Sequence, residues 1–218
     1  MPDQQFIKNA AQPKGPPAPQ YLERADWLRA AIDIFVDEGV DAVRITRLAQ
    51  GLGVTRGSFY WHFKSRDELL AGIIAFWAQK NAQSIILATR HAQTLDGGML
   101  ELFSCWLDPQ RFDPGLDMAM RDWARRSPDV RQKIRHADRE CIAAIKAFFQ
   151  RMGLEAIEAN TRARTTYFSQ IGYYAMGLNE SLENRLTYLE DTVWMLSGRP
   201  LDPSLASRFR KEILGPEE

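Results

Sequence analysis

Apolar residues recur at three- and four-residue spacing along almost the whole chain, and this period predicts helices. The first predicted helix covers residues 21–39, where a glycine can end it. A second short helix is predicted over about 45–52 and a third over about 56–63. Between these two, Gly53 can adopt the left-handed conformation that a tight turn requires.

Hydroxyl residues mark the starts of two of these helices. Thr55 stands at the N-cap position of the third predicted helix. Ser65 and Glu68 match a capping box, in which Ser65 caps and Glu68 reaches back to its amide. The helix that this box opens is predicted to continue to about Arg90 and to lead into a second domain.

The remaining sequence is also helical in pattern. Further helices are predicted over about 99–107, 116–125, 128–153, 155–177, 181–196 and 205–213. No convincing strand pattern or internal repeat accompanies them, so the predicted fold class is all-α. We expect a three-helix N-terminal helix-turn-helix domain and a larger C-terminal helical domain. The expected divisions are 1–20, 21–65 and 66–218.

Composition is that of an ordinary globular protein, with 45% hydrophobic and 26% charged residues in 218. Residues 1–20 hold several prolines and few large apolar groups, so we expect a disordered arm, whose Lys8 and Lys14 offer only weak support for DNA contact.

Cys105 and Cys141 lie in apolar helical patterns and are expected to be buried thiols. With no leader pattern and no apolar run of membrane-spanning length, the expected location is cytoplasmic, without a membrane partner.

Charge is unevenly distributed although Lys and Arg balance Asp and Glu at 28 each. No acidic residue occurs between Arg44 and Arg66, whereas this window contains five Lys or Arg residues. A surface that contacts phosphate would explain the asymmetry. The three histidines have no carboxylate or cysteine at ligand spacing, so no metal, cofactor or enzymatic activity is expected.

The order of these parts resembles the tetracycline-repressor (TetR) family of bacterial transcription regulators. The residues that carry the resemblance are Phe35, Glu38-Gly39, Leu48-Ala49, Leu52-Gly53-Val54, Gly57 to Phe63 and Leu69-Leu70. The run from Gly53 to Phe63 is the most specific part. The motif covers about residues 24–75, and beyond Trp77 only the helical architecture and the chain length agree.

The resemblance implies that the third helix enters the major groove of double-stranded DNA. Arg56 is then either a reader of guanine or a plain phosphate contact. Trp61 packs along the sugar edge or, alternatively, into the core. The expected DNA-contacting residues are Arg44, Thr46, Arg47, Thr55, Arg56, Gly57, Ser58, Tyr60, Trp61, His62 and Lys64.

One position departs from the family pattern, which has Thr or Ser as the cap of the second helix where this chain has Arg44. An arginine cannot accept a hydrogen bond from a backbone amide. Either Thr46 caps a helix that begins later, or Asp41 takes a related role. Arg44 could also replace the lost phosphate contact through its charge.

The resemblance further implies a ligand pocket and a dimer interface in the C-terminal helices. Candidate pocket walls, each of which could instead fill the core, are Trp77, Phe103, Trp106, Met120, Trp123, Phe148, Tyr167 and Tyr174. Candidate dimer residues are Ser169, Gly172, Ala175, Leu182, Leu186, Leu189 and Val193, although a monomer could cover this seam internally. We therefore expect a homodimeric repressor that binds a palindromic operator and an apolar or aromatic effector. The alternatives are a helical adaptor, or a small-molecule-binding protein or enzyme without a DNA role.

Overall fold

The computed structural model describes residues 22–178 and 180–215, and every regular element within these ranges is helical. The all-α prediction is confirmed. The α-helices are α1 (Arg24–Glu38), α2 (Ile45–Gly51), α3 (Arg56–Phe59), α4 (Arg66–Trp77), α5 (Gln83–Arg90), α6 (Leu95–Leu107), α7 (Pro114–Arg126), α8 (Pro128–Arg151), α9 (Ala156–Ala175), α10 (Leu182–Thr187), α11 (Leu189–Ser197) and α12 (Pro203–Leu214). A 3₁₀ turn covers Val40–Ala42 and a π-helical turn covers Ala78–Ala82. The arm predicted at 1–20 lies outside the described residues.

The predicted helix over 181–196 is interrupted at Tyr188, between α10 and α11. The reason lies on α12, where the Arg210 guanidinium donates to the Leu186 carbonyl from Nε at 3.3 Å and Nη2 at 3.1 Å. That carbonyl is the ordinary helical partner of the Glu190 amide. Arg210 also pairs with the Glu190 carboxylate, so one side chain fastens both sides of the break.

The long helix predicted from Ser65 to Arg90 is continuous but passes through the π-helical turn between α4 and α5. Within this turn Asn81 is buried. Its side chain donates to the Asp113 carbonyl at 2.8 Å and accepts from the Asp113 amide at 3.2 Å. The wider turn thus fastens this helix to the start of α7.

The described residues form two hydrophobic cores, one N-terminal and one C-terminal. The N-terminal core contains α1 to α4 together with Leu116 and Met120 of α7 and Val130 and Ile134 of α8. The other core is built from α5, α6, α8, α9 and the helices that follow. Apolar contacts therefore cross the predicted division at residue 65, and that division remains a prediction.

A buried polar network lies where the two cores meet. Asp117 of α7 accepts from Trp77 Nε1 at 2.8 Å and from Arg121 Nε at 2.7 Å. Arg121 also donates to Asp138 of α8 at 2.8 Å, and the Tyr167 hydroxyl of α9 donates to the same carboxylate at 2.7 Å. Burial opposes the charge of Arg121, but the hydrogen bonds to Asp138 and the carboxylate charges outweigh it and raise its pKa. This network joins α4, α7, α8 and α9.

Both cysteines are buried and unpaired, and burial raises the pKa of Cys105 to about 12. Among the described helices, none is both long enough and apolar enough to cross a membrane.

Replacement of Asp117 by alanine should lower the free energy of unfolding by about 3 kcal/mol, since it strips buried Trp77 and Arg121 of an acceptor. The measurement is urea denaturation followed by circular dichroism. Asp122→Ala is the matched control on the same helix. The pairs of Asp122 with Arg125 and Arg126 are exposed, and its loss should change stability by less than about 0.5 kcal/mol. Equal losses in the two variants would contradict the structural role of the network.

Candidate nucleic-acid interface

The two helices of the helix-turn-helix are held by a short turn and an aromatic core. Gly53 has φ +69°, the left-handed conformation predicted for it. Phe59 and Phe63 are buried and stacked with their ring centroids 5.4 Å apart, and Trp27 of α1 meets Phe59 edge-to-face at 5.4 Å. The α-helical part of α3 ends at Phe59, before the predicted residue 63. Turns carry the chain onward, since the Phe63 amide still donates to the Phe59 carbonyl at 3.0 Å.

Burial of these rings leaves the opposite side of α3 exposed. Arg56 and Gly57 are exposed, Tyr60 is 50% exposed and Trp61 is 88% exposed. The core alternative for Trp61 is therefore excluded. A Cβ at Gly57 would lie 3.6 Å from Thr55 Oγ1, an ordinary contact, so packing within the chain does not require glycine there. His62 is only half-buried, with its ring 6.5 Å from Trp27.

Hydroxyl groups at the start of α3 bond to each other. Thr55 occupies the N-cap position, but its side chain makes no capping bond. Its Oγ1 lies 3.2 Å from Ser58 Oγ instead. Arg56 Nη2 donates to the Tyr60 hydroxyl at 3.4 Å, one turn further along.

Arg44 occupies the N-cap position of α2 with an extended backbone and no capping acceptor. The helix begins at Ile45, so Thr46 lies inside the first turn and does not cap a later start. Arg44 Nε donates to the Asp41 carbonyl at 3.2 Å, which ties the arginine to the preceding turn.

Arg44, Arg56 and Lys64 have no carboxylate within 4.0 Å among the described residues. Arg47 pairs in two places with Glu38 of α1, and those hydrogen bonds hold the pKa of the Glu38 carboxyl below its ordinary value. Among these four cations, Arg47 is therefore in an ion pair, and Arg44, Arg56 and Lys64 are not.

Arg66 serves the fold. Its Nε donates to the Val43 carbonyl at 2.6 Å and its Nη2 to the Val40 carbonyl at 2.5 Å. It thereby holds the turn that precedes α2 against the start of α4.

The capping box at α4 differs in one bond from its prediction. Ser65 Oγ accepts from the Glu68 amide at 3.2 Å, as predicted. The Glu68 carboxylate accepts at 2.8 Å from the amide of Lys64, one residue before the predicted Ser65. This cap begins α4 immediately after the segment from α3 to Phe63, which we call the recognition segment.

Comparison with known proteins covers this same region. The family model "Bacterial regulatory proteins, tetR family" matches residues 28–73, which run from α1 to α4. The HTH-type transcriptional regulator SrpR of Pseudomonas putida is 41% identical over 46 residues, 21% of this chain and 22% of that protein. The class A tetracycline repressor from transposon 1721 of Escherichia coli is 36% identical over 59 residues, 27% of each chain. This chain therefore spans about a quarter of the length of these curated relatives.

Residues 28–73 form a domain of the TetR family of bacterial regulatory proteins.

Other known proteins are similar to this chain over most of its length, including the C-terminal helices. The HTH-type transcriptional activator FasR of Mycolicibacterium smegmatis is 23% identical over 201 residues, 88% of this chain and 81% of that protein. AmtR of Mycobacterium smegmatis has a TM-score of 0.60 at 18% identity, covering 93% of this chain and 99% of that chain. A TetR-family transcriptional regulator of Marinobacter aquaeolei has a TM-score of 0.61 at 17% identity, covering 89% and 98%. At these identities the two structures show a shared fold.

A cavity of about 310 Å³ lies between α6, α9, α10 and α11. Of the predicted wall residues, Phe103 and Trp106 line it, and Trp106 also accepts at its carbonyl from the Tyr174 hydroxyl at 2.8 Å. Sequence reasoning missed the polar wall residues Thr166, Gln170 and Arg185. Thr166 and Gln170 continue the buried stripe Ala159, Ala163 at helical spacing. A polar residue within an apolar stripe is the signal that could have identified them.

The other predicted wall residues lie elsewhere. Trp77 and Met120 are buried in the N-terminal core, and Trp123 packs edge-to-face on Phe35 at 5.7 Å. Phe148 fills the C-terminal core, and Tyr167 belongs to the buried polar network. Tyr174 stacks on Phe112 at 5.3 Å. Side chains brought in by distant helices decide which aromatic residues face a cavity.

The predicted dimer residues are similarly divided. Leu186, Leu189 and Val193 are buried within the protomer, because α10 and α11 turn them toward the C-terminal core. Leu182 is 38% exposed. On α9, Ala175 and Ser169 are exposed and Gly172 is half-buried, and Ser169 also lines the cavity. The leucine and valine seam is thus covered internally, the alternative that the sequence left open.

Replacement of two neighbouring cations should have unequal effects on stability. Arg66→Ala should lower the free energy of unfolding by about 2 kcal/mol, because it removes charge-assisted bonds to two carbonyls. Lys64→Ala removes an exposed side chain and should change stability by less than about 0.5 kcal/mol. Thermal and urea denaturation of both variants measure the difference. A neutral Arg66→Ala variant would contradict the assignment of Arg66 to the fold.

Proposed function

We propose that this chain is a DNA-binding transcriptional regulator that uses the exposed side of α2 and α3 to bind a double-stranded operator. The observation that carries the proposal is the exposed set of cations and aromatic residues in the acid-free sequence from Arg44 to Arg66. There Arg44, Arg56 and Lys64 have no carboxylate partner among the described residues, and Tyr60 and Trp61 stand exposed beside them. Phosphate contacts supply most of the affinity in protein–DNA interfaces. A cation without a carboxylate partner is available for such contacts.

The residues at the start of α3 suit the major groove. Arg56 lies at the first position of the helix, where a guanidinium reaches either a guanine edge or a phosphate. Gly57 lets the backbone approach closely, which is consistent with the absence of an internal reason for glycine. Thr55, Ser58 and Tyr60 present hydroxyls that can donate to phosphate.

We assign the neighbouring positions to the DNA backbone. Trp61 suits the sugar edge because it is exposed; in the following residues Lys64 is exposed and His62 is half-buried. Thr46 and Arg44 flank the start of α2. Arg47 must exchange Glu38 for a phosphate if it is to contribute.

We propose a homodimer that brings two such surfaces to a palindromic operator. The support is a pair of neighbouring exposed apolar side chains on α11, Trp194 at 59% and Met195 at 62%; on α9, Phe168 is 48% exposed. Large exposed apolar groups close together are typical of interaction sites. This face replaces the buried Leu186–Leu189–Val193 seam as the dimer surface.

We further propose that an effector bound in the C-terminal domain controls DNA binding, with repression as the direction. A ligand achieves this only if it binds the DNA-free arrangement more tightly than the DNA-bound one. The relative FasR is named as an activator, so comparison alone does not select the direction.

Binding to a DNA fragment from upstream of its own gene tests the function. The logarithm of the association constant should fall linearly with the logarithm of salt concentration. Lys64→Ala should reduce that slope by about one, and Arg56→Ala should weaken binding by about tenfold or more. Arg139→Ala, an exposed cation on α8, is the control and should leave both quantities unchanged. Absence of binding, or binding without a salt slope, would refute the regulator proposal.

Light scattering tests the dimer. Trp194→Glu places a charge in the proposed apolar interface and should convert the dimer to a monomer. Trp61→Glu alters an equally prominent exposed tryptophan in the DNA-binding domain and should remain dimeric. A wild-type mass of one chain would contradict the dimer, and an unaffected Trp194→Glu dimer would move the interface elsewhere.

A further inference from the structure

The cavity between α6, α9, α10 and α11 has aromatic walls. Phe103 and Trp106 of α6 lie in one wall, with their ring centroids 6.1 Å apart. Tyr173 and Tyr188 contribute further rings from α9 and from the break between α10 and α11. Flat apolar surfaces around a volume of about 310 Å³ fit a small aromatic molecule.

Two polar side chains in this cavity lack a hydrogen-bond partner among the described residues. Thr166 is fully buried, and its hydroxyl makes no hydrogen bond to any described residue. Gln170 Nε2 is also buried without a bond to the described residues. A buried donor without an acceptor destabilises a fold, so groups of this kind usually have a partner. Both residues belong to the wall of the cavity.

Arg185 adds positive charge to the same cavity. Its guanidinium carbon lies 4.7 Å from the centre of the Tyr173 ring, and no carboxylate lies within 4.0 Å of it among the described residues. Glu180, the acidic residue of the lining, accepts from Asn184 Nδ2 at 2.8 Å. Burial and the nearby Glu180 carboxylate raise the pKa of Tyr173.

We propose that this cavity binds an aromatic monocarboxylate, with the ring between the aromatic walls, the carboxylate on Arg185 and a second acceptor at Thr166 and Gln170. The Gln170 amide nitrogen is a donor and the Thr166 hydroxyl can donate, so both can bind an acceptor on the ligand. A planar carboxylate matches the fork of a guanidinium. The nearby Glu180 disfavours a dianion such as a phosphate ester and leaves a single negative charge as the better match.

This site also connects to the proposed regulation, and that part of the inference rests on the proposed function. Tyr188 lines the cavity and begins the segment that carries Trp194 and Met195. A ligand that moves Tyr188 would therefore shift the proposed dimer face and the spacing of the two DNA-binding surfaces.

Isothermal titration calorimetry of the full chain without DNA tests the site with 2-naphthoate. The matched probes are 2-naphthamide, which lacks the charge, and cyclohexanecarboxylate, which lacks the aromatic ring. We expect 2-naphthoate to bind at least about tenfold more tightly than either. Equal binding of the amide, or no binding of 2-naphthoate at millimolar concentration, would overturn the proposal.

Three substitutions locate the binding. Arg185→Gln should weaken 2-naphthoate at least about tenfold while leaving 2-naphthamide unchanged, and Arg185→Lys should restore part of the loss. Arg164→Gln is the matched control, because Arg164 also stands over an aromatic ring, 4.9 Å from Phe168, yet does not line the cavity. Thr166→Val should weaken binding without lowering the stability of the free protein, since it removes an unpartnered hydroxyl. Unchanged affinity in both Arg185 variants would overturn the site.

DNA binding in the presence of 2-naphthoate separates the site from its regulatory role. Release of operator DNA by 2-naphthoate in wild type, and its absence in Arg185→Gln, supports both. Calorimetric binding without any effect on DNA supports the site and overturns the regulatory connection. Failure of the DNA experiments alone would refute the proposed function and leave the calorimetric result standing.

Discussion

Arg121 holds together the two halves of the molecule. Its guanidinium reaches Asp117 and Asp138, and through these carboxylates it connects to Trp77 and Tyr167. Apolar contacts on either side are non-directional, whereas charge-assisted bonds are directional and short. The relative placement of α4, α7, α8 and α9 therefore depends on a few polar groups that tolerate only one arrangement. Truncation of one partner leaves another charged group buried without compensation.

This arrangement gives the proposed regulator a physical path between its two surfaces. The N-terminus of α4 is capped directly behind the recognition segment, and its last residue, Trp77, enters the buried network. Tyr167 enters from α9, beside Thr166 of the cavity wall. A change at the cavity would act on α9, and α9 would act on the end of α4. Spatial continuity alone does not demonstrate coupling, which requires two arrangements that both sites favour differently.

Local features were the ones that sequence could predict. Gly53 adopts its predicted left-handed turn, and Ser65 caps α4, because both depend on residues within a turn of themselves. The break at Tyr188 could not be predicted in this way, since it depends on Arg210 of a later helix. The same applies to Phe148 and Tyr167, whose apolar pattern predicted burial but not which side of the helix would meet a cavity. The assignments to DNA contact remain predictions, because exposure and charge indicate a surface without identifying what binds there.

The ion pair between Arg47 and Glu38 has a consequence for how the interface responds to ions. A free arginine near DNA brings a loosely held anion of its own and displaces a cation from the duplex. Arg47 already has an internal anion in Glu38, which occupies the place a phosphate would take. Exchange of one partner for the other liberates no small ion from the protein, and it leaves Glu38 facing the negatively charged duplex. In the proposed interface Glu38 therefore competes with phosphate for Arg47.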